Sequence, residues 1–581
     1  MRLFPICFLL VTAIAAAQQP GSVAERVAAQ NALFDEQYET DLRNFPERAT
    51  SFGDYRYNDK LADYSLEAIQ RRHRTDEGFL ARLKAISTTG FSDQDQLSHD
   101  LLARVLQQRV TDFNLKEYEM PINQQSGVHT NLADLPLSVP FDSVKHYEDY
   151  IARLRQVPRV MDQVTGVLRA GMKDKLMPVR FLAEKIPAQC EGIIAADPFL
   201  QPTKKYPASI PADDQARLTR EMVDAVVTDV LPAYKKFADF IRTEYAPHGR
   251  TELSITSLSD GQKRYENNIY ARTTTHMTAD EIHQLGLREI DRIEAEMLAT
   301  AKKEGFADLE SFRASLKNNP KYIPTSADQI LEDYRHYISQ MQAKLPDLFT
   351  LLPKSPVTVE AIPEFQAAAA THYVTGTPDG KRPGRVVVAT SDFAHRSLVD
   401  DEAIAYHEGV PGHHMQLSVQ QQLEGLPKFR LHGLGFNAYA EGWALYAEQL
   451  GKEVGFYQDP VSDYGRLSSE LFRAVRLVVD TGIHAKGWSR NQVVEFFRKS
   501  GAVDEPTIQS ETDRYISWPA QALSYKLGQL KIRELRDHAQ KELGPKFDIR
   551  KFHDEMLNGG TLPLDLLESR TERWIAEQKE K

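Results

Sequence analysis

The chain has 581 residues, with 71 Lys and Arg against 82 Asp and Glu for a net charge of −11, and 41% of it is hydrophobic. That length is several times the roughly 100 to 200 residues of one domain, so a large core in two lobes is expected and a disordered chain is not. The negative balance argues against a general nucleic-acid binder, whose phosphate contacts need a basic face.

Residues 1–17 read as a signal peptide. Arg2 gives a minimal positive start, residues 4–16 form an apolar run, and Ala15, Ala16 and Ala17 place small side chains before Gln18. The run is shorter than the roughly 20 residues of a membrane-spanning helix, and no later stretch is both long and charge-free. An exported protein, periplasmic or extracellular and without stable membrane insertion, is the expectation. Cys7 falls inside the removed segment and lacks the small-residue approach of a lipoprotein cleavage site. Cys190 is then alone, so no internal disulfide is expected, and it reads as a buried small apolar residue.

An N-terminal helical lobe is expected over 18–249. Apolar residues recur at helical spacing through 147–173 and 216–245, residues 198–211 form a Pro-punctuated loop, and Pro247-His248-Gly249 marks the lobe boundary. In the second lobe, 250–581, Thr278 and Glu281 make a capping box ahead of Ile282, Leu285, Ile290, Ile293 and Met297. Helical spacing returns at 331–345 and 468–486. Strand signals are few: the β-branched run 385–390 follows Pro383-Gly384 and the segment His372-Tyr373-Val374, which predicts a small sheet. At a sheet edge, strand 385–390 would offer backbone groups to an extended peptide.

The chemistry concentrates in Tyr406-His407-Glu408-Gly409-Val410-Pro411-Gly412-His413-His414-Met415-Gln416. Imidazoles beside a carboxylate are the combination that H-E-x-x-H zinc hydrolases carry on one helix, but position i+4 from His407 is Pro411. On an unbroken helix His414 would share the face of His407 yet lie about 10.5 Å along the axis, too far for bonds of about 2.0 to 2.1 Å to one ion. Gly409, Pro411 and Gly412 permit a bulge that shortens the span. Facing favours His414 as the second ligand; His413 needs the smaller insertion, and both stay open. Glu441, on a second helical segment, is the expected carboxylate ligand, leaving one position of a single Zn2+ open. Glu448, one heptad on, is read as a supporting or solvated residue. Glu408, adjacent to a ligand, is placed to act as general base.

These residues, with segments 277–297, 382–390, 473–488 and 515–528, resemble the domain-of-unknown-function 885 family of bacterial exported proteins. That family is itself similar to the gluzincin zinc metallopeptidases. The resemblance implies a mainly α, two-lobed, zincin-like fold with a small β-sheet beside a deep channel, as in angiotensin-converting enzyme and the thermostable carboxypeptidases. It covers most of the mature chain and departs from the gluzincin pattern in the histidine spacing.

Two further segments are expected to complete the site. Helical spacing puts Arg473, Arg476, Asp480 and His484 on one face, with Asp480 placed to orient His484. His484 is then a candidate oxyanion donor, and Arg476 a candidate partner for a substrate carboxylate or for Asp480. By similarity to gluzincin-like sites, Tyr525 is the candidate hydroxyl for the tetrahedral intermediate, with Tyr515 second; Arg514 or Lys526 is a candidate for holding a terminal carboxylate. The expected activity is hydrolysis of short peptides. A non-peptide amide or ester hydrolase, and an inactive peptide-binding protein, are the alternatives.

Overall fold

The computed structural model describes residues 21–580 except 318, 363–369 and 433. The signal segment 1–17 lies outside the described residues. The rest is mainly helical with one small sheet.

Local sequence explains the helices. Thr278 accepts from the Glu281 backbone N–H and the Glu281 carboxylate accepts from that of Thr278, starting helix Ala279–Lys303 with the expected capping box. Its buried stripe includes Ile282, Ile290, Ile293 and Met297. The stripe packs along Pro460–Lys486, and the two axes come close at Gly286, where a Cβ would lie 2.7 Å from the Leu477 side chain. The periodic run 147–173 is two helices, Val144–Leu154 and Val157–Asp174, because Pro158 has no N–H to continue the first and suits the opening turn of the second.

The apolar residues gather in separate cores. One lies wholly within residues 61–246 and includes Tyr150, Leu154, Phe199, Tyr234 and Phe237. A second joins Leu33, Leu42, Leu101 and Leu106 to Tyr334, Tyr406, Trp443 and Trp574. A third joins Ile293 and Met297 to Val475, Val479 and Tyr515. Helices Val23–Asn44 and Asp93–Asn114 therefore belong with the C-terminal part. The Pro247-His248-Gly249 interruption marks the end of the first core rather than a clean division of the chain. An ion pair of 2.6 Å between Arg104 and Asp565 spans the same join.

The sheet has strands β1 (Val357–Ala361), β2 (His372–Val374) and β3 (Gly384–Val388) in the order β1-β3-β2. β1 runs parallel to β3 and β2 antiparallel to it. β3, expected to receive an extended peptide, is the central strand with both edges occupied, so that expectation is corrected. No helix among the described residues is long and apolar enough to cross a membrane.

Helices Asn437–Glu453 and Ser524–Leu543 cross backbone to backbone at Gly442 and Gly528. A Cβ on Gly528 would fall 1.8 Å from the Ala438 carbonyl oxygen, inside any van der Waals contact. Gly528→Ala is expected to cost about 3 kcal/mol, read as a lowered midpoint in thermal denaturation followed by circular dichroism.

Candidate functional site

Helix Asp401–Glu408 stops at Gly409, the chain turns through a cis Val410–Pro411 peptide and Gly412, and helix His413–Gln422 begins. Pro411 has no N–H with which to continue the helical ladder. The link folds back on the helix it leaves: Gly412 N–H donates to the Tyr406 carbonyl at 3.0 Å and His414 N–H to that of Gly409 at 3.1 Å. A Cβ on Gly412 would stand 1.9 Å from the His407 carbonyl oxygen, so only glycine permits the return. As a result the His407 and His413 rings meet edge to face, with centroids 4.9 Å apart.

Helix Asn437–Glu453 closes the other side. Trp443 Nε1 donates to the Pro411 carbonyl at 2.8 Å and ties this helix to the link. Glu441 Oε2 then lies 3.3 Å from His413 Nε2 and 3.7 Å from His407 Nε2. Two turns on, the buried Glu448 meets His407 Nδ1 at 2.8 Å, so a carboxylate addresses each nitrogen of that ring. Glu408 is half-buried, and one ligand atom each from His407, Glu408 and His413 fall within 4.8 Å of one another. Three carboxylates thus border the imidazole pair, with Glu448 behind His407. Glu441 contacts both rings, while Glu408 flanks them.

Ligands at about 2.0 to 2.1 Å around a tetrahedral ion stand about 3.3 to 3.4 Å apart. The 3.3 and 3.7 Å separations from Glu441 are close to that spacing, and Glu408 forms the mutually close group with the same two imidazoles, so His407 and His413 with Glu441 or Glu408 could hold one divalent ion. Burial disfavours a charged His407, but its hydrogen bonds to the Glu441 and Glu448 carboxylates outweigh it and push the imidazole up to about 9. Burial would likewise raise Glu441, yet the two imidazoles hold it well below the usual carboxylate range.

His414 points away from this focus. Its Nδ1 is 3.0 Å from the Tyr373 hydroxyl on β2 and its Nε2 3.1 Å from the Ser355 carbonyl, and burial lowers it to about 4. Consecutive residues on a helix sit about 100° apart, so His413 facing Glu441 sends His414 to the sheet. The preference for His414 on facing grounds is therefore corrected in favour of His413, the alternative that needed the smaller insertion.

His484 is also displaced. Its Nδ1 accepts from the Ile255 backbone N–H at 3.2 Å, its Nε2 donates to the Tyr515 carbonyl at 2.9 Å, and burial lowers it to about 3. Neither nitrogen is left to meet an oxyanion, so the expected donor is a neutral packing residue. Asp480 does not orient it either: its carboxylate accepts from the Tyr265 hydroxyl at 2.7 Å and from the Ala520 N–H at 3.0 Å.

Tyr525 does approach the site, its ring stacked 6.5 Å from that of His407. Arg476 and Arg473 lie 4.5 and 5.9 Å over the Tyr525 ring, and Arg514 reaches its hydroxyl at 3.4 Å. Arg476 and Arg514 share Glu511, at 2.9 and 3.0 Å. Burial would raise the Glu511 carboxyl, but the two guanidiniums outweigh it and hold it well below the usual range. Tyr515 is core: its hydroxyl donates to Glu511 and accepts from Arg476. Arg476, pressed between Phe472 and Tyr525, supports the phenol and offers no open face to substrate. Lys526 is completely buried against Glu470 and Glu289, at 2.6 and 3.0 Å, and is excluded as a carboxylate anchor. Glu511 and Trp443 escaped notice in the sequence. Glu511 had a signal, lying three and four residues before Arg514 and Tyr515 on one helix; Trp443 had none.

With this geometry in place, relationships to known proteins can be assigned. The sequence pattern of the family described as "Bacterial protein of unknown function (DUF885)" matches residues 46–570. The chain belongs to the DUF885 family. Among solved structures, this DUF885 chain is similar to a candidate lipoprotein from Colwellia psychrerythraea, 26% identical with a TM-score of 0.89 over 96% of this chain and 100% of that one. It shares its fold with a candidate lipoprotein of unknown function from Shewanella oneidensis, 18% identical with a TM-score of 0.71 over 94% and 99% of the two chains. Comparison with curated proteins gives no match.

Burial raises Asp480 to about 7 despite its two donors. The native state therefore keeps this proton where the unfolded chain, near 3.9, has lost it, and stability falls as pH rises between those values. Asp480→Asn removes the ionisation. Its melting temperature relative to the parent is expected to climb from pH 4 to pH 7 and to stay level above, as scanning calorimetry across that range would show.

Proposed function

We propose that this DUF885 protein is an exported zinc-dependent hydrolase acting on short peptides. The observation that carries the reading is the convergence of His407 Nε2, His413 Nε2 and Glu441 Oε2, with Glu408 beside them and Glu448 behind His407. Two nitrogens and one carboxylate are the donor set of an open catalytic zinc site, whereas structural zinc is usually closed by four protein ligands, mostly cysteine. The only cysteine of the described residues, Cys190, is buried in the other core.

Zinc bound there would polarise a scissile carbonyl and acidify water. The chain supplies the rest. Glu448 accepts from His407 Nδ1 and so keeps Nε2 turned into the site as a lone-pair donor. Glu408 takes the proton of the attacking water and returns it to the leaving nitrogen, so the amide departs as an amine. The Tyr525 hydroxyl donates to the carbonyl oxygen as it gains charge, and Arg473, Arg476 and Arg514 around that ring favour the negative charge. Lobes flanking a channel, as in the gluzincins, belong to the same reading. Export is supported by the apolar, small-residue N-terminal segment and by the description of the Colwellia protein as a candidate lipoprotein.

Metal analysis with a peptide-cleavage assay tests this. His413→Ala is expected to lose stoichiometric zinc, whereas His414→Ala keeps it and only melts earlier. Glu408→Gln is expected to retain the metal and lose at least about 100-fold in turnover, the scale of a general base. Zinc-loaded parent protein that frees no new amino termini from a mixed peptide pool would refute the peptidase reading, and retention of zinc by His413→Ala would refute the ligand set.

A further inference from the structure

A cavity of about 210 Å³ lies between the first core and the site-bearing helices, lined among others by Gln124, Val179, Arg250, Arg272, Ile516 and Trp518. Its polar groups are unbalanced. Arg250 donates to the Met177, Glu252 and Ser254 carbonyls at 3.1, 2.5 and 2.6 Å and to the Ser257 hydroxyl at 3.3 Å, and Arg272, among the described residues, touches Asn437 Oδ1 at 3.4 Å. Neither guanidinium forms an ion pair among the described residues, and the one carboxylate on the wall, Glu117, is held by Arg264 at 2.7 Å. Gln124 is 8% exposed, and its Nε2 donates to the Asp513 carbonyl and the Ser517 hydroxyl. That leaves Gln124 Oε1 buried with no donor, a deficit that a bound N–H would satisfy. The remaining wall is mixed, with Val179, Leu182, Ile255, Ile516 and Trp518 beside the amides of Asn123 and Asn268.

Two relays of side-chain contacts link the cavity wall to the candidate site. Asn437, which Arg272 touches, opens the helix that carries Glu441 one turn later. Trp518 lies under Arg514, which pairs with Glu511 and Gln521 and also reaches the Tyr525 hydroxyl at 3.4 Å.

We propose that this cavity anchors the C-terminal residue of a peptide. Two unpaired guanidiniums ask for a carboxylate, the Gln124 acceptor asks for a neighbouring N–H, and Trp518 with Val179 and Ile516 asks for an apolar side chain. A carboxylate, an amide N–H and a side chain held together are a peptide's free end. The inference rests on the peptidase reading for what becomes of the bound peptide, but not for its capture.

The test is calorimetric binding of N-acetyl-Ala-Ala-Phe and of its C-terminal amide to Glu408→Gln protein, which holds the ligand without turning it over. The acid is expected to bind at least tenfold tighter than the amide. Arg272→Gln in the same background is expected to erase that difference, and Arg272→Lys to keep part of it. Arg272 is chosen because its exposed side chain makes one long contact, 3.4 Å to Asn437 Oδ1, with circular dichroism as the check on folding. Equal binding of acid and amide, acid preference that survives Arg272→Gln, or acetate competing as well as the peptide would each overturn the proposal. Acid-selective binding by a protein that never cleaves the peptide would leave the anchor standing and remove the peptidase reading; cleavage without acid selectivity would do the reverse.

Discussion

The return of the chain between Glu408 and His413 is the constraint on which the site rests. On a continuous helix His413 would stand about 9 Å along the axis from His407 and on another face. Ending the helix at Glu408 and folding Gly409–Gly412 back against Tyr406 and His407 exchanges that rise for ring contact at 4.9 Å. The exchange needs a residue without a ladder donor at 411 and one without a Cβ at 412. It also needs an external brace, supplied by Trp443 on the opposing helix.

Around this return the protein spends much of its buried charge on position. His407 is held between Glu441 and Glu448, and Glu448 in turn comes within 4.0 Å of Arg473. Arg476 and Arg514 share Glu511 beneath Tyr525, and the next residue, Lys526, is locked to Glu470 and Glu289. Such pairs add little net stability, because desolvation offsets most of their attraction. Removing one partner strands a buried charge, however, so each pair resists any other arrangement of the helices that carry it. The Gly442–Gly528 crossing works with them, since only there can the Glu441 and Tyr525 helices touch backbone to backbone.

Much of the local structure was legible before any coordinates. The Thr278–Glu281 box, the apolar stripe behind it, the strand expected at 385–390 and found at 384–388, and the departure from a regular helix around Pro411 follow from capping, periodicity, β-branched composition and the missing proline donor. Errors arose where periodicity was extended into facing. Arg473, Arg476, Asp480 and His484 do share a helix, but Pro460–Lys486 is buried on nearly all sides, so no single face of it is the functional one. His484 turned toward Ile255 and Tyr515, and Asp480 toward Ala520, because those backbone groups had no other partners.

What the sequence alone determined is the inventory and its local geometry: which segments coil, that Gly409, Pro411 and Gly412 interrupt the helix after His407, and which imidazoles and carboxylates were candidates to meet there. Choosing His413 over His414, giving Glu448 the Nδ1 of His407 and bringing Tyr525 beside the same ring were decided by tertiary structure. Each depends on a helix distant in sequence, or on a strand, packing against the return from one side. A residue's neighbours along the chain fix its backbone angles, but the direction its side chain faces is settled by what comes to lie opposite.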